Sequence, residues 1–138
     1  MNKERMMELA DFIEKLEHVK YKDFGELHTN EIPGRKIVFN MLHWNSPRDC
    51  GTVCCIGGSS HQLFGGYIET DLMISYDEKE ALCYPPGSPC TQDAITSQIA
   101  AQTLRLIANE VLDMDKNLWP DALELLGEQE LQEERYKN

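Results

Sequence analysis

Bases are scarce in this chain: 13 lysines and arginines stand against 24 aspartates and glutamates, for a net charge of −11. The imbalance disfavours direct binding to nucleic-acid backbones, because like charges repel. No apolar run approaches the ~20 residues of a membrane span, so no membrane partner is expected. The stretch Met1 to Glu8 lacks the apolar core of a signal peptide. No two cysteines stand as Cys-x-x-Cys, and five is an odd number, so the cysteines of one chain cannot all pair. Together these absences lead us to expect a cytoplasmic chain with free thiols.

What is present suits one folded unit. At 138 residues and 41% hydrophobic content, the chain is long and apolar enough to build its own core. The expected arrangement is a single helical domain over residues 1–127, followed by a polar C-terminal extension over 128–138. Charge is uneven along it. Glu69 to Glu80 holds five acids and one base, and Asp121 to Asn138 holds six acids and two bases. Such runs read first as solvated helical faces; the sharper reading is a surface that meets a basic partner.

Patterning predicts a mainly α fold, a bundle of about five helices around a central helix of small residues, with at most a minor β element. Met6, Leu9, Phe12, Ile13, Leu16 and Val19 recur at helical spacing and predict a helix over 4–19. Lys36 to Leu42 is the plausible strand, though the chain offers it no obvious partner. Thr52 reads as the cap of the central helix, from about Val53 to Phe64, with Gly65-Gly66 as its stop. Glu69 to Ile74 forms another helical turn. Ser75 and Glu78 have the spacing of a capping box and open a helix to about Cys83. Thr96 caps a helix to about Leu112, whose buried stripe is Ile99, Ala100, Thr103, Leu104, Ile107 and Val111. Pro120 suits the first position of a last helix and Gly127 its end. The central helix is expected to pack between 4–19 and 97–112.

Three of the five cysteines lie in Asp49 to Gly58. A thiol at a helix N-terminus has its pKa lowered by the dipole and the free amides, so Cys50 is the candidate nucleophile. A partner base is needed, and His43 and His61 are the candidates. Cys50, Cys54 and His61 with Cys83 or Cys90 also offer metal-ligand types, but the gaps match no compact zinc module, so no metal and no cofactor is expected. The bland alternative is that these cysteines are small buried hydrophobes among Gly57, Gly58, Ser59 and Ser60. An anionic ligand such as a nucleotide would be sought at Thr52 and at the basic, aromatic segment holding His28, Arg35, Lys36 and Trp44.

Asp49-Cys50-Gly51-Thr52-Val53 is similar to the entry of the catalytic helix in papain-like cell-wall peptidases, but those use a histidine on a later strand, and this sequence has none after His61. A second resemblance is broader. Cys50, Gly51, Thr52, Cys55, Ile56 and Gly58 match a Cys-Gly-Ser/Thr-x-x-Cys-Ile/Leu-x-Gly pattern that resembles small proteins of bacteria and their phages. Leu9-Ala10-Asp11-Phe12, Leu82-Cys83-Tyr84-Pro85, Thr96 to Leu104 and Trp119 look similar in the same order. Cys83 stands where an aromatic is usual, and Gly58 is not followed by the usual Trp or His. The resemblance implies a helical fold and a phage origin, and carries over no functional residue. The functional expectation is an acidic binding protein, a phage or prophage factor that inhibits or sequesters a host component such as a host-defence protein or an anionic, nucleotide-like molecule. A homodimer is compatible with it. The alternative is a cysteine-dependent hydrolase or transferase using Cys50 or Cys54 with a histidine.

Overall fold

The computed structural model describes residues 1–18, 36–41, 45–48, 51–85 and 94–136. Its elements run α1 (Lys3–Glu14), β1 (Glu17–His18), β2 (Lys36–Phe39), β3 (Asn45–Arg48), β4 (Gly51–Cys54), α2 (Ile56–Phe64), α3 (Ile68–Asp71), α4 (Tyr76–Cys83), α5 (Ser97–Ala108) and α6 (Leu118–Tyr136). The fold is mainly helical, as the patterning predicts. Among the described residues no helix is long and apolar enough to cross a membrane.

Among the described residues the β element is small but has four strands, in the order β1-β2-β4-β3. Lys36 to Phe39 therefore does find partners. It pairs in parallel with β1 (Glu17 opposite Val38) and with β4 (Ile37 opposite Thr52). β4 also pairs antiparallel with β3, setting Pro47 opposite Thr52. This overturns the expected cap. Thr52 sits inside a strand, where its backbone groups belong to a ladder and are no longer available to start a helix. The N-cap moves to Cys55, in extended conformation at φ −81 and ψ −168, and α2 begins at Ile56. Its end is where the two glycines put it. Gly65 takes φ 87 and its N–H bonds the His61 carbonyl at 2.8 Å. A Cβ on Gly66 would stand 2.9 Å from Asp71 Oδ2, so the second glycine is there for space.

α1 stops at Glu14, short of Val19, because Glu17-His18 turn away to join the sheet. Asn2 accepts the Arg5 N–H at 3.0 Å and caps its start. Met6, Leu9, Ala10 and Ile13 form its buried face. Among the described residues the most extensive helix pairing is α1 against α5, whose alanines at 100, 101 and 108 are all buried. Arg105 fastens the pair by bonding Asp11 at 2.8 Å and Glu14, and Gln98 donates to the Glu14 carbonyl at 3.3 Å. α2 packs against α1, α3, α4 and the sheet, so α1 lies between α2 and α5, in place of the expected α2 between the other two.

Thr96 caps α5, accepting the Ile99 N–H at 3.2 Å. The helix ends at Ala108, four residues early. Glu110 adopts φ 63, its N–H bonds the Ile107 carbonyl, and the Val111 N–H bonds the Leu106 carbonyl at 2.9 Å. That is a Schellman closure with glutamate where glycine is usual. It throws Val111 outward to 59% exposure, and Ala101 and Ala108 complete the buried stripe in its place; Ile99 is half-buried.

Ser75 and Glu78 form the expected capping box of α4, with bonds of 3.1 and 2.9 Å. α6 begins at Leu118, which makes Pro120 its third residue; its missing N–H is one that has no intrahelical acceptor in any case. The helix does not end at Gly127 but continues to Tyr136. Trp119 is buried, and its indole N–H donates to the Leu82 carbonyl at 3.0 Å, one of the last carbonyls of α4 that the helix leaves without a donor.

Candidate functional site

Cys50, His43, Trp44, His28 and Arg35 lie outside the described residues. Lys36 opens β2 and Thr52 lies in β4, with Lys36 opposite Gly51 in the parallel register, so the sheet does bring these two segments side by side. Cys54 ends β4, its backbone paired with Phe39 and Asn45.

The cysteine that occupies a helix start is Cys55. It is 3% exposed and packs in the core with Cys83, Ile56 and Phe39. Burial pushes its thiol up from the ordinary value of 9.0, and the amides of Gly58 and Gly57 recover only part of that. Burial, and then the neighbouring Cys55, push the Cys83 thiol up as well. Neither is a ready thiolate. His61 stands six positions after Cys55, about 9 Å further along the helix axis. Its Nδ1 lies 3.2 Å from the Gly66 carbonyl oxygen, where it helps close the end of α2. Cys55 and His61 thus sit at opposite ends of one helix and do not form a dyad. Gly57, Gly58, Ser59 and Ser60 are all buried, as the packing reading expects. The Ser59 and Ser60 hydroxyls have no hydrogen-bond partner among the described residues. Among the described residues no three His, Cys, Asp or Glu side chains gather into a metal-sized group.

An open groove lies elsewhere, between α4 and the turn that leads into α6. Its volume is about 700 Å³. α4 contributes Asp77, Glu80 and Ala81 and its C-cap Tyr84, and the facing wall contributes Met114, Asp115, Lys116 and Trp119. Asp77, Glu80, Ala81 and the capping Tyr84 are spaced i, i+3, i+4 and i+7, which is one face of a helix carried to its end. Ala81 is small and leaves the depth; Trp119 forms the floor. Tyr84 is 58% exposed and the adjacent Tyr76 64%. Lys79 reaches back between them, its Nζ 5.0 Å from the Tyr76 ring centre and 5.7 Å from that of Tyr84, with Glu80 at 3.9 Å. Burial opposes the Lys79 charge, but Tyr84, Glu69, Glu80 and Tyr76 together hold its pKa above the ordinary value. A hydrogen bond to Glu80 holds the Tyr76 hydroxyl up in turn.

Sequence reasoning reached this groove only halfway. The acidic run Glu69 to Glu80 points to a surface for a basic partner, and Trp119 reads from sequence as a core indole whose N–H finds a partner, as it does here; Tyr84 enters only through the resemblance, and Met114 carries no sequence reading. The usable signal was the 77, 80, 81, 84 spacing, which sets two acids and a tyrosine on one face around a small residue. Comparison with protein-family models, with curated proteins and with solved structures yields no match to this chain.

Proposed function

We propose that this chain is a small acidic binding protein that docks on a host component through the α4 groove and inhibits or sequesters it, as a phage or prophage factor in the bacterial cytoplasm would. The observation that carries the reading is the groove itself. An exposed tyrosine, Tyr84, beside a small residue, over an apolar floor and ringed by Asp77, Glu80 and Asp115, is a recognition surface without a nucleophile. The sealed Cys55 and the helix-closing role of His61 point the same way. The phage setting rests on the Cys50 to Gly58 resemblance.

Purified tagged protein, incubated with bacterial lysate, is expected to retain a stoichiometric host macromolecule or a bound nucleotide-like molecule, read by mass spectrometry of proteins and metabolites. Retention of neither overturns the proposal. Thiol labelling decides the enzyme alternative. Rapid alkylation of Cys50 or Cys54 at neutral pH would favour a cysteine-dependent hydrolase or transferase, and slow labelling of every cysteine in the folded state would end it.

A further inference from the structure

We infer that the α4 groove takes an arginine side chain presented by a protein segment, its guanidinium lying on the open face of Tyr84 and its edge bonding the carboxylates of Asp77 and Glu80. The inference rests on the binding-protein reading and names the chemistry of its partner.

Three observations lead to it. The groove joins an aromatic wall to carboxylates, a combination that suits a planar cation: the ring attracts the charge and the acids accept its N–H groups. Three acids line the groove against one base, Lys116, and the whole chain carries −11, so a cationic segment is drawn in while nucleic acid is repelled. The chain also supplies its own example. Lys79 already places an ammonium against both Tyr76 and Tyr84, yet Tyr84 remains 58% exposed, which leaves ring surface for a second cation. Arginine fits that place better than lysine. Its guanidinium is flat and weakly hydrated, so it stacks on a ring and bonds sideways at once, which a compact ammonium cannot do. Glu80 is partly engaged by Lys79 and Tyr76, so the exposed Asp77 is the freer acceptor.

The test uses the full chain and a fluorescein-labelled peptide of alternating glycine and arginine, with the glycine-lysine peptide as its counterpart, read by fluorescence anisotropy at low and physiological salt. The arginine peptide is expected to bind more tightly than the lysine one. Tyr84→Ala should weaken arginine binding roughly 3- to 30-fold, the range of a cation–π contact. Asp77→Asn and Glu80→Gln should each weaken it by up to about 5-fold, as exposed ion pairs do. Ala81→Phe should abolish it by filling the groove. Glu8→Gln, on α1, removes the same charge away from the groove and should change little. Circular dichroism confirms that each variant folds; the surface variants Asp77→Asn and Glu80→Gln decide the matter should Ala81→Phe disturb the helix. The inference is overturned if neither peptide binds, if Glu8→Gln weakens binding as much as Asp77→Asn, or if lysine binds as well as arginine and Tyr84→Ala leaves both unchanged. A retained host complex beside a failed peptide test would remove the arginine assignment and leave the binding-protein reading standing.

Discussion

α2 and α4 pack against each other in the core, yet the start of the one and the outer face of the other meet solvent in opposite ways. At the start of α2 stand a thiol, the helix-end amides of Gly57 and Gly58 that face it, and two serines, all groups with chemistry to offer, and all are sealed. On α4, two turns of acids and the capping Tyr84, which look like ordinary solvated surface, form one wall of an open groove with an apolar floor. The difference is one of access. Helix-end amides stabilise an anion by about 0.3–1 kcal/mol, and up to about 2 in good geometry, whereas removing a charge from water costs several. At Cys55 the second effect exceeds the first, so the position that favours a thiolate holds a neutral thiol instead. α4 belongs to both regions. Leu82 and Cys83 face the core, Asp77 and Tyr84 face the groove, and Trp119 touches both sides through its bond to the Leu82 carbonyl.

Trp119 is therefore where the comparison is most easily broken. Trp119→Ala removes a large buried side chain and the donor to Leu82, and should cost about 3–5 kcal/mol in urea denaturation. A loss below about 1 kcal/mol would mean that floor and core are independent of each other.

The sealed thiols make a pH prediction. Both have folded pKa values above the ordinary 9.0, so between 9.0 and the folded values the native state holds protons that the unfolded state has released. Their stabilising effect is fully present below 9.0 and is lost as pH rises through that window, by up to about 1.4 kcal/mol per pH unit for each thiol. Denaturation at successive pH values should show the decline, and Cys55→Ala should roughly halve it. A curve as flat as that of a chain lacking both cysteines would place Cys55 and Cys83 in contact with water.

The smallest effect tests whether the α2 start is packing alone. Ser59 and Ser60 bury hydroxyls without partners among the described residues, a penalty of about 1–3 kcal/mol each, offset in part by the lost contacts of the oxygen. Ser59→Ala and Ser60→Ala should thus be neutral or stabilising by up to about 1 kcal/mol in thermal melts. A clear destabilisation would show that the hydroxyls are bonded in solution.

Much of the helical frame was readable where the signal is local. The Ser75–Glu78 box, the Thr96 cap and the Gly65 stop act within one turn, and each is seen where its residues stand. The misreadings arise where a distant segment decides. Thr52 has a capping side chain, but β2, fifteen positions earlier in the register, claims its backbone. Asn45 to Arg48 includes Pro47 and shows no alternation, and it is a strand because β4 lies beside it. Glu110 adopts a backbone angle associated with glycine, so its helix stop could not be read from residue type. For the site, the acids were legible as charge and the groove was not, since its far wall comes from residues thirty or more positions away.

The α1–α5 pairing has a consequence for the order of synthesis. Asp11 and Glu14 wait for Arg105, 94 and 91 positions later. Until then Met6, Leu9, Ala10 and Ile13 lack much of the surface that covers them, and a twelve-residue helix is marginal alone in water. A ribosome that stalls before α5 emerges therefore releases a chain with an uncovered apolar stripe, one that chaperones would bind and that readily aggregates.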